Sequence, residues 1–255
     1  MLRQLILIFC GLMFSVSASA QKKFLVGQAD KILTIQANYQ YILPAGDFAE
    51  RFHSINALGA AVGVKGTKNL FYTVEGSYHF SNDIQPTNML NNLATSGGFI
   101  IASSGYPTQL NIGMRGFAIA AKAGYILPLS TVNINSGIKF SLGGALVMHK
   151  YNINVSEGYV PSLSDEKQKG YDRYSSGFAW NEFIGYQHIS RNRYINFYAG
   201  VELMQAVTYN RRKFNYDTMQ SDTKAHYDFY YGLKFGWIIP VYLRTKNSED
   251  EFIFR

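Results

Sequence analysis

The sequence predicts an all-β fold: a closed, antiparallel, up-and-down transmembrane β-barrel of about eight strands. Three observations support it. Large apolar residues alternate with small or polar residues in repeated runs, the connections between runs are alternately short and long, and aromatic residues gather near the ends of the runs. After the N-terminal segment, no stretch approaches the roughly 18 continuous apolar residues of a membrane-spanning helix.

The chain opens with the pattern of a secretory signal peptide. Arg3 is followed by an apolar run over residues 5–16, and a small-x-small triplet precedes Gln21. This order of a positive start, an apolar run and a cleavage site is typical of exported proteins. We therefore expect residues 1–20 to be removed, which leaves residues 21–31 as a short periplasmic segment.

Cysteine content and charge exclude several classes of function. The single cysteine, Cys10, lies in the predicted signal peptide, so the mature chain would have no disulfide and no thiolate ligand. The formal net charge is +7, but no nucleic-acid-binding motif is present, so we expect anionic lipid rather than nucleic acid as the partner. The histidines show no metal-ligand spacing, and we expect neither a metal nor a cofactor.

The alternating runs supply the strands of a barrel that we expect to span residues 32–244. Most of the runs have about 10–14 residues, which suits a tilted strand that crosses a bilayer. In every run one face carries large apolar residues, whereas the other carries small or polar ones. The runs, in chain order, cover residues 34–41, 56–64, 70–80, 116–125, 138–149, 178–187, 195–209 and 229–241.

The connections between the runs alternate in length. The short ones cover residues 65–69, 127–135 and 190–193, and the long ones cover residues 44–53, 81–111, 152–176 and 210–227. Bacterial outer-membrane barrels combine short periplasmic turns with long extracellular loops. We expect the same orientation here, with both termini, including the charged tail 245–255, in the periplasm. The apolar stretch 97–102 suggests either a small extra hairpin or a lid in the second long loop.

Aromatic residues on the apolar faces form two predicted belts. Those near the long loops are Tyr39, Tyr41, Tyr78, Phe80, Phe178, Trp180, Tyr209, Phe229 and Tyr231; those near the short turns are Tyr72, Tyr125, Tyr186, Phe197 and Trp237. Aromatic side chains concentrate at the two water–lipid boundaries of membrane proteins. A soluble β-sandwich also alternates, but it has no reason to sort its aromatic residues in this way.

Four of the charged residues on the polar faces of the runs lie at depths that would let them pair. Glu75 and Lys122 lie at matching distances from the short-turn ends of neighbouring strands, and so do Glu202 and Lys234. An eight-stranded barrel is filled by side chains, and buried charges are costly unless they are paired. We therefore predict two ion pairs, Glu75–Lys122 and Glu202–Lys234, in a filled lumen, which argues against a pore.

Glu182 breaks the alternation, because it falls in phase with Trp180 and Ile184 on an apolar face. One hypothesis is a β-bulge that turns the carboxylate inward, or a position near the membrane boundary. The other is that this wall of the barrel contacts a partner protein. Gln205, on the apolar face of the next run, favours the second hypothesis.

With these features the chain resembles the small, OmpA-like outer-membrane β-barrel families that are common in the Bacteroidota, which are Gram-negative bacteria. The resemblance covers residues 32–244 and rests on architecture, the Ala20–Gln21 cleavage site and the Tyr- and Asn-rich strands. Members serve as anchors, adhesins or accessory subunits of secretion and assembly machines. The resemblance implies contact with lipopolysaccharide and with larger outer-membrane proteins. Such barrels often end on an aromatic residue, whereas this chain ends on Arg255.

One segment resembles an enzyme site. His79, Ser81 and Asn82 are similar to the His-x-Ser-Asn segment of lipid A deacylases, which are also eight-stranded barrels and in which the histidine activates the serine. The orienting acid is missing here, the motif lies on the third strand instead of a late one, and both side chains point inward. We therefore favour a non-enzymatic scaffold or accessory subunit, with a lipid A hydrolase and a small pore as alternatives.

The long loops contain further charged residues. Arg211, Arg212 and Lys213 follow Tyr209, just beyond the aromatic belt, where they either contact lipopolysaccharide phosphates or form a solvated charge run. Several aspartates, which we expect to be solvated, have a spacing that indicates no catalytic site: Asp83, Asp165, Asp172, Asp217, Asp222 and Asp228.

Overall fold

The computed structural model describes residues 29–85, 89–190 and 195–243. The predicted signal peptide and the predicted tail lie outside the described residues.

Eight antiparallel strands close into a barrel, and a separate two-stranded hairpin lies in the second long loop. The barrel strands are β1 (Ile32–Gly46), β2 (Ile55–Lys65), β3 (Leu70–Ser81), β6 (Leu110–Pro128), β7 (Gly137–Val155), β8 (Ser175–Ile189), β9 (Asn196–Asn210) and β10 (Ala225–Tyr242); the hairpin strands are β4 (Ile100–Ile101) and β5 (Pro107–Thr108). Each of the eight alternating runs forms one barrel strand, and the predicted fold class is confirmed.

The barrel closes because β1 pairs with β10 over its whole length, from Ile32 opposite Tyr242 to Gly46 opposite Asp228. The order around the barrel is β1-β10-β9-β8-β7-β6-β3-β2, so consecutive barrel strands are neighbours throughout. A row of paired residues that starts at Leu70 returns to β3 at Phe80, ten positions further on. This stagger tilts the strands against the barrel axis.

The two faces of the barrel reverse the usual pattern of a water-soluble protein. On β10, the outward residues Leu233 and Phe235 are 65% and 53% exposed, whereas the inward residues Tyr230 and Lys234 are buried. The same alternation runs along the other barrel strands, and the residues of both predicted aromatic belts lie on the outward face. We call this outward face the outer wall. It is suited to contact with hydrocarbon rather than with water.

The two ends of the barrel differ. The connections from β2 to β3, from β6 to β7 and from β8 to β9 are short and belong to one end of the barrel. The connections from β1 to β2, from β3 to β6, from β7 to β8 and from β9 to β10 are longer and belong to the other. Apolar side chains of the long loops pack onto the barrel mouth in a buried cluster that includes Phe48, Phe52, Leu90, Val160, Leu163 and Tyr171. Within their described residues, these loops contain one α-helical turn, α1 (Asp165–Gln168), and two 3-10 turns, Asn91–Leu93 and Pro161–Leu163.

No helix in the described part of the chain is long and apolar enough to cross a membrane.

Candidate functional site

The four charged residues predicted to face inward meet in one cluster, the central ion network: Glu75, Lys122, Glu202 and Lys234. The Lys122 ammonium lies 3.0 Å from Glu75 Oε2 and 2.9 Å from Glu202 Oε2. The Lys234 ammonium lies 2.7 Å from Glu202 Oε2 and also donates to Glu75 Oε1. All four side chains are buried, so the charge of each carboxylate is balanced by lysines of the same chain rather than solvated by water.

The strand register explains why two predicted pairs merge into one network. On neighbouring strands β3 and β6, Lys122 lies opposite Thr73, one diagonal step from Glu75. On β9 and β10, Lys234 lies opposite Gly200, one diagonal step from Glu202. Closure of the barrel places β3 and β6 across the lumen from β9 and β10. Each lysine therefore reaches its neighbouring carboxylate and also the one on the far side.

A further lysine fills the lumen next to this network. The Lys139 ammonium lies 4.8 Å from the ring centre of Phe71 and 4.2 Å from that of Tyr198, which is cation–π distance. The sequence placed Lys139 on a polar face, but it gave no indication of this aromatic partnership. The cavity between these side chains and the central ion network has a volume of about 20 Å³, room for about one water molecule.

A second buried ion pair lies below the long loops. Arg51, from the loop after β1, donates to Asp228 Oδ1 at 2.6 Å, and Thr208 donates to Asp228 Oδ2 at 2.6 Å. The expectation that Asp228 is a solvated loop acid is wrong, because β10 begins at Ala225 and turns Asp228 into the lumen. Sequence reasoning missed this pair because Arg51 reaches it from a loop.

Two more aspartates are also paired rather than solvated. Asp172 accepts two hydrogen bonds from Arg212, and Asp217 pairs with Arg173. Asp172 is buried, so the expectation of a solvated carboxylate is wrong there too. These pairs tie the third long loop to the fourth. Together with the buried loop residues at the barrel mouth, these two loops form a cap over the lumen.

The deacylase-like residues do not form a nucleophile and base pair. His79 Nε2 lies 2.9 Å from Ser77 Oγ, whereas Ser81 Oγ hydrogen-bonds to the backbone of Asp83. Both His79 and Ser81 are buried on the lumen side of β3. A lipid on the outer wall has no path to either side chain, so this arrangement does not support ester cleavage.

Glu182 lies on the outer wall without a bulge. It is opposite Leu142 on one side and Leu203 on the other, and the pairing of β8 is regular there. The hypothesis of an inward-turned carboxylate is therefore wrong. A boundary position does not fit either, because Leu203 adjoins Glu202 of the central ion network, deep in the barrel. Gln205 lies opposite Trp180, one diagonal step from Glu182, and is exposed on the same wall.

The three consecutive cations after β9 have three different environments. The Arg211 guanidinium lies against the outer wall and donates to Ser176 Oγ at 2.7 Å. Arg212 turns into the cap, where its hydrogen bonds to Asp172 raise the pKa of the guanidinium further above its usual range. Lys213 is exposed. Only Arg211 is thus held in position on the wall.

Among the described residues, no group of three or more His, Cys, Asp or Glu side chains is arranged to hold a metal ion.

The chain is similar to two solved structures of small outer-membrane β-barrel proteins. Neisserial surface protein A shares 12% identity at a TM-score of 0.42, over 81% of this chain and 96% of that chain. Ail, the attachment invasion locus protein of Yersinia pestis, shares 7% identity at a TM-score of 0.41, over 82% of this chain and 99% of that chain. No protein-family model and no curated protein sequence matches the chain. The fold follows from the strand pairing itself, and neither similarity assigns a function.

Proposed function

We propose that the chain is an integral outer-membrane protein with a non-catalytic role, a scaffold or accessory subunit that binds a larger outer-membrane protein. The long loops would lie outside the cell, and the short turns and both termini would lie in the periplasm. The apolar outer wall, its aromatic residues and the alternation of short turns and long loops support this placement. That the chain is a barrel protein of the Bacteroidota type stays a prediction.

The filled lumen favours a scaffold over a pore. The central ion network crosses the lumen, Lys139 and Tyr198 pack beside it, and the loop cluster covers the mouth. Solute passage would require these buried ion pairs to separate, at a cost of about several kcal/mol for each ion left buried without its partner. A barrel of this kind holds its shape and presents its surfaces to other molecules.

The observation that carries the proposal is the Glu182 carboxylate on the outer wall. No described residue pairs with it, although it lies at the depth of the central ion network. A carboxylate facing hydrocarbon at that depth is unfavourable, and polar residues in membrane segments commonly mark contacts with protein. The Glu182 carboxylate and the Gln205 amide together offer a hydrogen-bonding site on the β8–β9 wall to a strand or helix of a partner protein.

A photo-crosslinking amino acid at position 182 tests the proposal in cells that express the full chain. The matched control has the same crosslinker at Val74, which is outward-facing on β3, across the barrel and at a similar depth because it adjoins Glu75. We expect a specific protein adduct from position 182 and lipid adducts from position 74. Lipid adducts alone from both positions would sink the proposed partner contact.

A further inference from the structure

The outer wall carries two cations side by side at the edge of its apolar surface. Arg115 on β6 and Lys150 on β7 are directly paired in register, and both point outward. The next outward pair towards the middle of the barrel is Phe117 and Met148. Positive charge therefore begins where the apolar wall ends, on the long-loop side.

Arg211 extends this positive edge to the next strand. Its backbone N–H donates to Tyr174 O, and its side chain donates to Ser176 Oγ at 2.7 Å and to Ser176 O at 3.3 Å. Ser176 is the outward residue of β8 that lies opposite Met148. The guanidinium is thus fixed on the wall beside Lys150. We call Arg115, Lys150 and Arg211 the basic row.

The basic row differs from the other arginines of the long-loop end in its partners. Arg51, Arg173 and Arg212 each pair with an aspartate. Among the described residues, no carboxylate pairs with a member of the basic row. The paired arginines hold the cap together, whereas the charges of the basic row remain available to an anion.

Backbone contacts hold Arg115 in position for such an anion. Its Nη1 group donates to Met114 O at 2.8 Å and to Ser81 O at 3.2 Å, while Asn82 Oδ1 lies at 3.5 Å. All of these contacts use one terminal nitrogen, so the remaining N–H groups of the guanidinium can meet a ligand. A guanidinium fixed by one edge loses less conformational entropy when it binds phosphate than a free one does.

We propose that the basic row binds the phosphate groups of an outer-leaflet glycolipid of the lipid A type, whose acyl chains lie on Phe117, Met148 and Phe178. Arg115 lies on β6, and Ser176, which holds the Arg211 guanidinium, lies on β8. Two strand spacings separate them, about 10 Å, so the basic row can engage two phosphates of one headgroup. Guanidinium groups bind phosphate oxygens through paired, charge-assisted hydrogen bonds. The site rests on the proposed outer-membrane placement and adds a lipid ligand to it.

Binding of diphosphoryl lipid A to the purified barrel in a neutral detergent tests the site. The test variant is the triple substitution Arg115→Gln, Lys150→Gln and Arg211→Gln. The matched control, Lys68→Gln, Lys213→Gln and Lys224→Gln, removes the same charge from exposed positions outside the row. At about fivefold per cation, we expect affinity to fall about 100-fold in the test variant and to stay within about twofold in the control.

Five further measurements make the result specific. Circular dichroism of each variant checks that the barrel is folded, and Lys150→Gln alone, at an exposed position, should still weaken binding about fivefold. Dephosphorylated lipid A should bind the wild type as weakly as diphosphoryl lipid A binds the test variant. Inorganic phosphate that competes as well as the lipid would overturn the lipid assignment, and equal losses in both triple variants would overturn the site. Membrane fractionation reports the cellular location independently of either result.

Discussion

The lumen and the outer wall of this barrel accommodate carboxylates in opposite ways. In the lumen, Glu75, Glu202 and Asp228 each contact at least one cation of the same chain. On the wall, Glu182 has no described partner, and its neighbours on both adjacent strands are leucines. The lumen is closed to other molecules, so its charges must be balanced internally. The wall is open, so a molecule outside the chain can balance a charge there.

This difference gives opposite expectations for the same kind of substitution. Removing a charge from the lumen leaves another charge buried without its partner, which destabilises the barrel. Removing the charge from the wall leaves nothing unpaired and exposes more apolar surface to lipid, which stabilises the isolated barrel. The sign of the change in unfolding free energy therefore distinguishes a charge balanced within the chain from one balanced by a partner.

Lys234→Met should give the largest effect. Lys122 would be the one remaining ammonium of the network beside both Glu75 and Glu202, and we expect a loss of about 3–5 kcal/mol in unfolding free energy. Urea unfolding in lipid vesicles measures it, since Trp180 and Trp237 lie on the outer wall and their fluorescence reports contact with lipid. Lys68→Met, at an exposed turn position, is the control and should change little.

A double-mutant cycle tests whether Glu202 and Lys234 of the network are coupled. Glu202→Met together with Lys234→Met leaves Glu75 and Lys122 as a neutral pair, 3.0 Å apart. The double variant should therefore lose less stability than the sum of the two single variants, by about 1–3 kcal/mol. Additive losses would show that the two residues are not coupled and would contradict the network.

Asp228→Asn should have a smaller effect, localised at the mouth of the barrel. The substitution removes the counter-charge of Arg51 while keeping a group that can accept from Thr208, so we expect a loss of about 2 kcal/mol. Because Arg51 belongs to the first long loop, hydrogen exchange should rise at residues 47–54 before it rises in the strands. Asp217→Asn, which removes the counter-charge of Arg173 between the third and fourth long loops, is the control and should leave exchange at residues 47–54 unaltered.

The sequence predicts the strands well because alternation records which face meets lipid and which faces the lumen. It also predicts the charges of the central ion network, since Glu75, Lys122, Glu202 and Lys234 all fall on polar faces at matching depths. The cross-lumen contacts could not be predicted, because they depend on the stagger of the closed sheet. The stagger sets which residues of distant strands face one another across the lumen, and it cannot be deduced from the alternation within a single run.

The long loops were less predictable than the strands. Asp172 and Asp228 read as ordinary loop acids, yet Arg212 and Arg51 bind them in buried pairs. Pairing of this kind arises from three-dimensional loop packing and leaves no periodic signal. The basic row was only partly visible for the same reason. Arg211 follows an aromatic belt residue in sequence, but its neighbours on the wall, Arg115 and Lys150, come from two other strands.

Glu182→Leu should give the smallest effect, and it should have the opposite sign. We expect the isolated barrel to gain on the order of 1–2 kcal/mol in vesicles, because an acidic side chain at mid-depth is replaced by an apolar one. Glu182→Gln, which keeps the shape but not the charge, should gain less. In cells, the same Leu variant should retain less partner protein during gentle detergent purification, while Val74→Leu should leave both properties unchanged. If Glu182→Leu leaves stability in vesicles unaltered, the carboxylate is already solvated, and the β8–β9 wall has no unmet charge for a partner to balance.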